Sequence, residues 1–139
     1  MIARRGRSQA AELLTKIARE VRSGVQLLGQ LLGTPESERA ALRDELLALE
    51  GNAMDLHFNL MTHMRSVFLT PLPRQDIYTL SQQLNRTMEH VVAAGDFLLA
   101  REHLKLAPQS SEQVETLTRQ VDLTTVSYTH LTLPTKRIV

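Results

Sequence analysis

The chain has 139 residues, of which 42% are hydrophobic, 22% are charged and none is cysteine. This length is typical of a single domain with its own core, and the absence of cysteine excludes disulfides, thiolate zinc sites and cysteine nucleophiles. A formal net charge of +1 and an aromatic content of 4% argue against a nucleic-acid-binding surface. No apolar run reaches the roughly 20 residues that span a bilayer, and no secretory signal is recognisable. We therefore expect a soluble, helical, cytoplasmic protein.

Two long segments with helical periodicity come first. Residues 8–32 carry apolar side chains three and four positions apart, and Ser8 is in the position of an N-cap. Residues 35–67 follow, with Thr34 as the expected N-cap and Pro35 at the first helical position. The apolar residues of this second segment alternate at spacings of four and three over more than three heptads. That pattern predicts a long helix packed along a nearly parallel neighbour.

A third helix is predicted over residues 74–106, after a turn that contains two prolines. Pro108 closes it, and Ser110 or Ser111 then caps a fourth helix over residues 112–123. Glycines inside the predicted helices lower helix stability by about 1 kcal/mol each relative to alanine, which weakens the prediction of continuity there. These glycines are Gly24, Gly29 and Gly95.

The periodicity predicts an all-α fold, an antiparallel up-down bundle of three long helices plus the start of a fourth. We assign residues 1–107 to this bundle and residues 108–125 to the start of a truncated second bundle. Residues 126–139 are expected to be a non-native tail. The tail is rich in threonine and β-branched residues, would favour a strand by propensity, and resembles translated sequencing-adapter sequence. The natural chain is therefore expected to continue past about Leu123.

The histidines form no known metal-binding pattern, neither H-E-x-x-H nor the Glu-x-x-His pair of di-iron bundles. Glu89 and His90 are adjacent, so their side chains diverge on a helix. His63 lies on the apolar stripe of the second helix, which favours a hydrogen-bonded core or interface histidine over a metal ligand. His57 and His103 are expected at the solvated surface.

Two carboxylates occupy comparable positions beside apolar seams, Glu50 on the second helix and Glu89 on the third. At the edge of a bundle they could share a cation. Spacing alone favours the alternative, in which each shields its seam and pairs with a basic residue. The sequence contains no glycine-rich phosphate loop, nucleophile elbow or catalytic triad, so we expect a protein that is not an enzyme.

The turn between the second and third helices carries the most informative pattern. Asp76 suits the start of a helix, and Arg74 can pair locally or reach across the turn. The string Phe68-Leu-Thr-Pro-Leu-Pro-Arg-Gln-Asp-Ile-Tyr-Thr-Leu80 resembles the signature of the PhoU-like phosphate-transport regulators, in the branch described as Pit accessory protein. The residues in register are Phe68, Thr70, Pro71, Arg74, Asp76, Ile77 and Leu80. The resemblance extends more loosely over residues 8–123.

The resemblance implies an all-α protein built from two three-helix bundles. Family members are cytoplasmic, non-enzymatic, often oligomeric, and regulate phosphate uptake. The implied partner is a membrane phosphate transporter, contacted on its cytoplasmic face, which would hold the protein at the inner side of the membrane. A homo-oligomer is also expected, and nucleic acid is not.

PhoU-like proteins also bind metal ions through Glu/Asp-x-x-x-Asp motifs. These map onto Glu50–Met54 and Asn85–Glu89, where Glu50 and Glu89 keep a carboxylate. Met54 and Asn85 stand where the family places an acid, and Arg86 adds a positive charge. A multinuclear cation site needs several carboxylates, so we expect binding of a divalent or iron ion to be weak or lost.

Two other functions are compatible with the sequence. One is a metal-binding helical bundle in which Glu50, Glu89 and His90 hold iron or another divalent ion. The other is a self-associating helical scaffold whose exposed seam pairs with a second copy. The accessory regulator of phosphate transport is the leading hypothesis because the turn signature supports it.

Overall fold

The computed structural model describes the backbone of residues 2–70, 72–100 and 109–132, and the side-chain environment of residues 9–70, 72–100 and 112–123. The backbone forms four helices: α1 (Ile2–Gly33), α2 (Glu36–Ser66), α3 (Arg74–Ala100) and α4 (Gln109–Thr132). No strand occurs within these ranges. The prediction of an all-α bundle is confirmed. The predicted extension of the third helix to residue 106, and Pro108 after it, lie outside the described residues.

Two polar contacts show the direction of α2 relative to α3. Arg43, near the start of α2, donates to Asp96 near the end of α3. His57, further along α2, contacts Ser81 in the first half of α3. The two helices are therefore antiparallel, as the sequence predicts.

α1 is the central helix of the bundle, because it packs against α2, α3 and α4. It runs parallel to α3, since Gly24 lies beside Met88 and Leu31 lies beside the later Gly95. Its predicted apolar stripe runs from Leu14 to Leu32. The stripe is buried at Leu14, Ile17, Val21, Val25 and Leu28, whereas Leu32 is half-buried.

α4 runs antiparallel to α1 and packs on the side of α1 that α2 and α3 leave open. Asp122 accepts a hydrogen bond from Arg22, and Val114 lies 3.2 Å from the position that a Cβ of Gly29 would take. Val121 is buried in the same cluster of apolar side chains as the middle of α1. Within the described residues α4 belongs to this bundle. Its assignment to the start of a second bundle stays a prediction.

Two clusters of buried apolar side chains form the core, one toward each end of the bundle. The cluster at the α1–α2 connection is built from Val21, Val25, Leu28, Leu31, Leu46, Ala53, Met88, Val91, Val92 and Val121. The cluster at the α2–α3 connection is built from Ala10, Leu13, Leu14, Ile17, Ala18, Leu60, Met64 and Ile77. Leu84 packs against both. Burial of each large side chain contributes about 1.5–3 kcal/mol to the free energy of unfolding. The two clusters therefore stabilise the packing of the helices along their length.

Gly24 and Gly95 lie where helices approach closely. A Cβ at Gly24 would stand 2.9 Å from the Sδ of Met88, and a Cβ at Gly95 would stand 3.0 Å from a methyl group of Leu46. Both glycines are buried in continuous helices. The sequence suggested weakened helices at these positions, but the absence of a side chain is what allows α1, α2 and α3 to pack here.

The starts of α1 and α2 differ from the prediction. α1 begins at Ile2, so Ser8 lies inside the helix and is not its N-cap. Pro35 is the N-cap residue of α2, with φ −57° and ψ 146°, and is not its first helical residue. Thr34 does not cap α2 either, because its hydroxyl donates to the carbonyl oxygen of Gln30 at 2.5 Å and thereby closes α1.

α4 is longer than the sequence indicates. It begins at Gln109, so Ser110 and Ser111 lie within the helix. It continues to Thr132, although residues 126–139 favour a strand by propensity. Helix propagation is cooperative, and residues that join an existing helix adopt its conformation despite a weak intrinsic preference.

Candidate functional site

Arg74 holds together the turn that carries the family resemblance. Its Nη1 donates to the carbonyl oxygen of Met64 at 2.5 Å, and its Nη2 donates to that of Val67. The last carbonyl groups of a helix have no amide partner within the helix, and the helix dipole makes that end partly negative. The guanidinium of Arg74 therefore caps α2 from the start of α3, which is the reach across the turn that the sequence allowed.

The turn is closed by further local hydrogen bonds. The hydroxyl of Thr70 donates to the carbonyl oxygen of Leu72. The amides of Asp76 and Ile77 donate to the carbonyl oxygen of Pro73, at 2.9 and 3.2 Å. Asp76 lies in the first turn of α3, where the dipole favours a carboxylate. These residues shape the turn.

Phe68 has a different environment from the rest of the turn signature. Its side chain is 89% exposed, and that of the following Leu69 is 45% exposed. A phenylalanine in this state adds nothing to the core, whereas burial against another molecule would contribute about 1.5–3 kcal/mol. Pro71 lies outside the described residues. The turn therefore presents Phe68 and Leu69 on a backbone that Arg74 has fixed.

A groove of about 260 Å³ lies between α2 and α3. Its lining residues are Glu50, Met54, His57, Gln82, Asn85, Arg86 and Glu89. The two segments to which the metal-binding motifs map, one on α2 and one on α3, thus line the same groove. Glu50 is half-buried there, and Glu89 is exposed.

The charges in this groove are mixed. Two carboxylates face one guanidinium, that of Arg86, together with the imidazole of His57 and amide groups. His90 is exposed and is not among the lining residues. Across the described part of the chain, no group of three or more His, Asp or Glu side chains is placed to hold a metal ion. The groove therefore contains Glu50, Glu89 and His57, but not in an arrangement that could hold a metal ion.

His57 is half-buried in the wall of the groove, and so is less exposed than the sequence predicted. Its Nδ1 lies 2.6 Å from the Oγ of Ser81, which is fully buried. A serine hydroxyl beside an imidazole is the arrangement of a nucleophile and its base, but a buried Oγ has no path to a substrate. The contact joins α2 to α3. The sequence signal is the position of Ser81 within the apolar stripe of α3, one turn after Ile77.

His63 is not among the residues that line the groove. His63 is half-buried on α2, and its carbonyl oxygen accepts hydrogen bonds from Val67 and Ser66. His103 and the tail histidine, His130, lie outside the residues whose side chains are described.

An ion pair links the start of α2 to the end of α3, at the end of the groove that lies away from the α2–α3 turn. The Nε of Arg43 donates to the Oδ1 of Asp96 at 2.6 Å. This hydrogen bond, and then the attraction of the carboxylate, raise the pKa of Arg43 above its ordinary value. Sequence reasoning missed the pair because no local spacing relates residues that lie on different helices.

A second groove of about 390 Å³ lies between α1 and α2. Its lining residues are Ser23, Gln26, Leu27, Gln30, Glu45, Ala48 and Leu49. Glu45 is the one charged side chain among them, so this groove offers less for ligand chemistry than the groove between α2 and α3.

No family model, curated protein or solved structure matches the chain significantly. No helix in the described ranges combines the length and the apolar character needed to cross a membrane.

Proposed function

We propose that this protein is a non-enzymatic accessory regulator of inorganic phosphate transport, which docks on the cytoplasmic face of a membrane phosphate transporter through the α2–α3 turn. The observation that carries the proposal is the exposed Phe68, 89% accessible, next to two carbonyl groups that the guanidinium of Arg74 bonds. The all-α bundle and the residues of the turn signature support the same conclusion.

The physical argument is preorganisation. A contact residue on a mobile loop must be ordered when it binds, and the lost entropy weakens the complex. The hydrogen bonds of Arg74 and Thr70 order this turn before any partner arrives. Phe68 and Leu69 can then enter an apolar pocket of the transporter with little further ordering. A cytoplasmic location follows from this proposal and is part of it.

Phosphate uptake in cells tests the proposal. Deletion of the gene is expected to change the rate of phosphate uptake, and wild-type protein is expected to restore it. Leu69→Ser should fail to restore uptake and should fail to copurify with the transporter. Leu117→Ser is the matched control, because Leu117 on α4 is 36% exposed against 45% for Leu69. Unchanged uptake after deletion, or equal behaviour of the two variants, would contradict the proposal.

A metal-binding bundle is the second candidate, because Glu50 and Glu89 line one groove. Two carboxylates beside Arg86 are a weak set for Fe²⁺ or Mn²⁺, because protein sites for these ions combine several carboxylate or imidazole ligands. We therefore expect purified protein incubated with Fe²⁺ or Mn²⁺ to retain substoichiometric metal after dialysis, with no change in Glu50→Ala. One bound ion per chain that Glu50→Ala removes would favour this candidate over the regulator.

A further inference from the structure

The proposed docking turn leaves a separate exposed stripe on α2 unexplained. Asp44, Gly51, Phe58 and Arg65 lie seven residues apart, and all four are exposed. Seven residues fall about 20° short of two helical turns, so these positions form a nearly straight line along the helix. The line passes from an acid through a residue without a side chain, then through an aromatic residue, to a base.

No contact within the described residues explains Gly51. Glycine in the interior of a helix is destabilising relative to alanine. At Gly24, Gly29 and Gly95, a neighbouring side chain lies within 3.2 Å of the position that a Cβ would take, and this accounts for each of them. At Gly51, in the middle of α2, no atom of the residues whose side chains are described lies within 4 Å of that position. The space beside Gly51 is open to a group from another molecule.

Phe58 supplies an uncovered apolar group two turns further along the same line. Its side chain is 71% exposed, and that of Met54, one turn before it, is 56% exposed. Exposed apolar side chains grouped on one face mark interaction sites more often than isolated ones do. The exposed side chain of Phe58 in one copy can occupy the open space beside Gly51 in a second copy.

We propose that the stripe from Asp44 to Arg65 is a self-association surface, on which a second copy of this chain packs its own α2 in the antiparallel direction. The two-fold axis passes through the midpoint of the stripe. Each residue then faces the residue at the same distance on the other side of the axis, as an isologous interface requires. Phe58 of each copy fills the gap at Gly51 of the other, and Arg65 of each copy faces Asp44.

Charge and size complementarity select the antiparallel direction. A parallel pair would place Asp44 against Asp44 and Arg65 against Arg65, and facing like charges are unfavourable. It would also set Phe58 against Phe58 and leave both gaps at Gly51 empty. The antiparallel pair matches acid to base and large to small along the whole stripe.

Crosslinking tests the geometry directly, because the chain contains no cysteine of its own. The double variant Asp44→Cys/Arg65→Cys should give a covalent dimer with a short bifunctional maleimide. Each single variant should not, because the two copies of either position lie roughly 32 Å apart along the helix axis. Dimers from the single variants would contradict the antiparallel direction. If none of the variants formed a dimer, the proposed surface would be wrong.

A charge reversal tests the pairing of the two ends. Asp44→Arg is expected to raise the dissociation constant of the dimer roughly threefold or more in sedimentation equilibrium at low salt. Arg65→Asp alone should have the same effect. The double variant, which reverses both charges, should restore the wild-type value, because acid and base again face each other between copies. No restoration in the double variant would contradict this pairing.

The central contact is tested by size. Phe58→Ala and Gly51→Leu are each expected to raise the dissociation constant roughly tenfold or more, the first by removing the inserted ring and the second by filling the gap. Leu117→Ala on α4 is the control and should leave it unchanged. Circular dichroism shows whether each variant keeps its helices. Wild-type protein that stays monomeric at every concentration, or folded Phe58→Ala that dimerises normally, would overturn the proposal.

Discussion

A helix ends in carbonyl groups without amide partners. At the end of α2 the guanidinium of Arg74 bonds the carbonyl groups of Met64 and of the C-cap residue Val67. Because the contact is partly solvated, we expect Arg74→Ala to lower the free energy of unfolding by about 1 kcal/mol in urea denaturation. Arg86→Ala, at an exposed position of α3, is the control and should change it by less than about 0.5 kcal/mol. Equal effects of the two substitutions would contradict the capping role.

The contact between His57 and Ser81 is a second case in which one residue joins two helices. Ser81→Ala is expected to cost about 1 kcal/mol of stability, because it removes one partner of a hydrogen bond at a buried position. A double-mutant cycle with His57→Ala should show non-additive effects on the free energy of unfolding, since each substitution already breaks the same bond. Additive effects would indicate that the two side chains do not interact in solution.

At the scale of helices, alanine substitutions at glycines should have opposite signs at different positions. Gly95→Ala is expected to destabilise the protein by about 1–2 kcal/mol, because the new Cβ would press on the buried Leu46. Gly51→Ala should stabilise the monomer by up to about 1 kcal/mol, because helix propensity rises and nothing stands in the way. Thermal denaturation at low protein concentration measures both. The same sign at the two positions would contradict the packing described for α1, α2 and α3.

The long helices were predictable from sequence because apolar spacing records which face is buried. The stripe from Leu14 to Leu32 predicted the face of α1 that is buried as far as Leu28, and prolines located the turn between α2 and α3. Helix ends were less predictable, since one short polar residue suits several neighbouring positions. Thr34 illustrates this, because the same hydroxyl could cap α2 or close α1, and it closes α1.

The candidate site was predictable only in part. Glu50 and Glu89 do line one groove, but His57 also lines it and His90 does not. His57 also contacts Ser81, a residue of another helix. The stripe from Asp44 to Arg65 is visible in the sequence as a seven-residue spacing, but only the structure shows that all four positions are exposed. Pairing between helices requires the three-dimensional arrangement.

At the scale of the whole molecule, α4 has the weakest attachment among the described helices, because α1 is the one helix that it packs against. We expect backbone amides of α4 to exchange with deuterium faster than those in the middle of α1 under native conditions. Asp122→Ala should accelerate exchange in α4 further, because it removes the bond from Arg22. Asp55→Ala, an exposed residue of α2, is the control. Equal protection of α1 and α4 would contradict this order of opening.

The central place of α1 also has a consequence for synthesis on the ribosome. α1 contacts each of the other three helices, yet it is translated before any of them. In the folded protein its apolar surface is covered on several sides. In the nascent chain that surface stays exposed until α2, α3 and α4 have emerged. We therefore expect newly made α1 to be a binding site for chaperones, and slow translation of the later helices to lower the yield of folded protein.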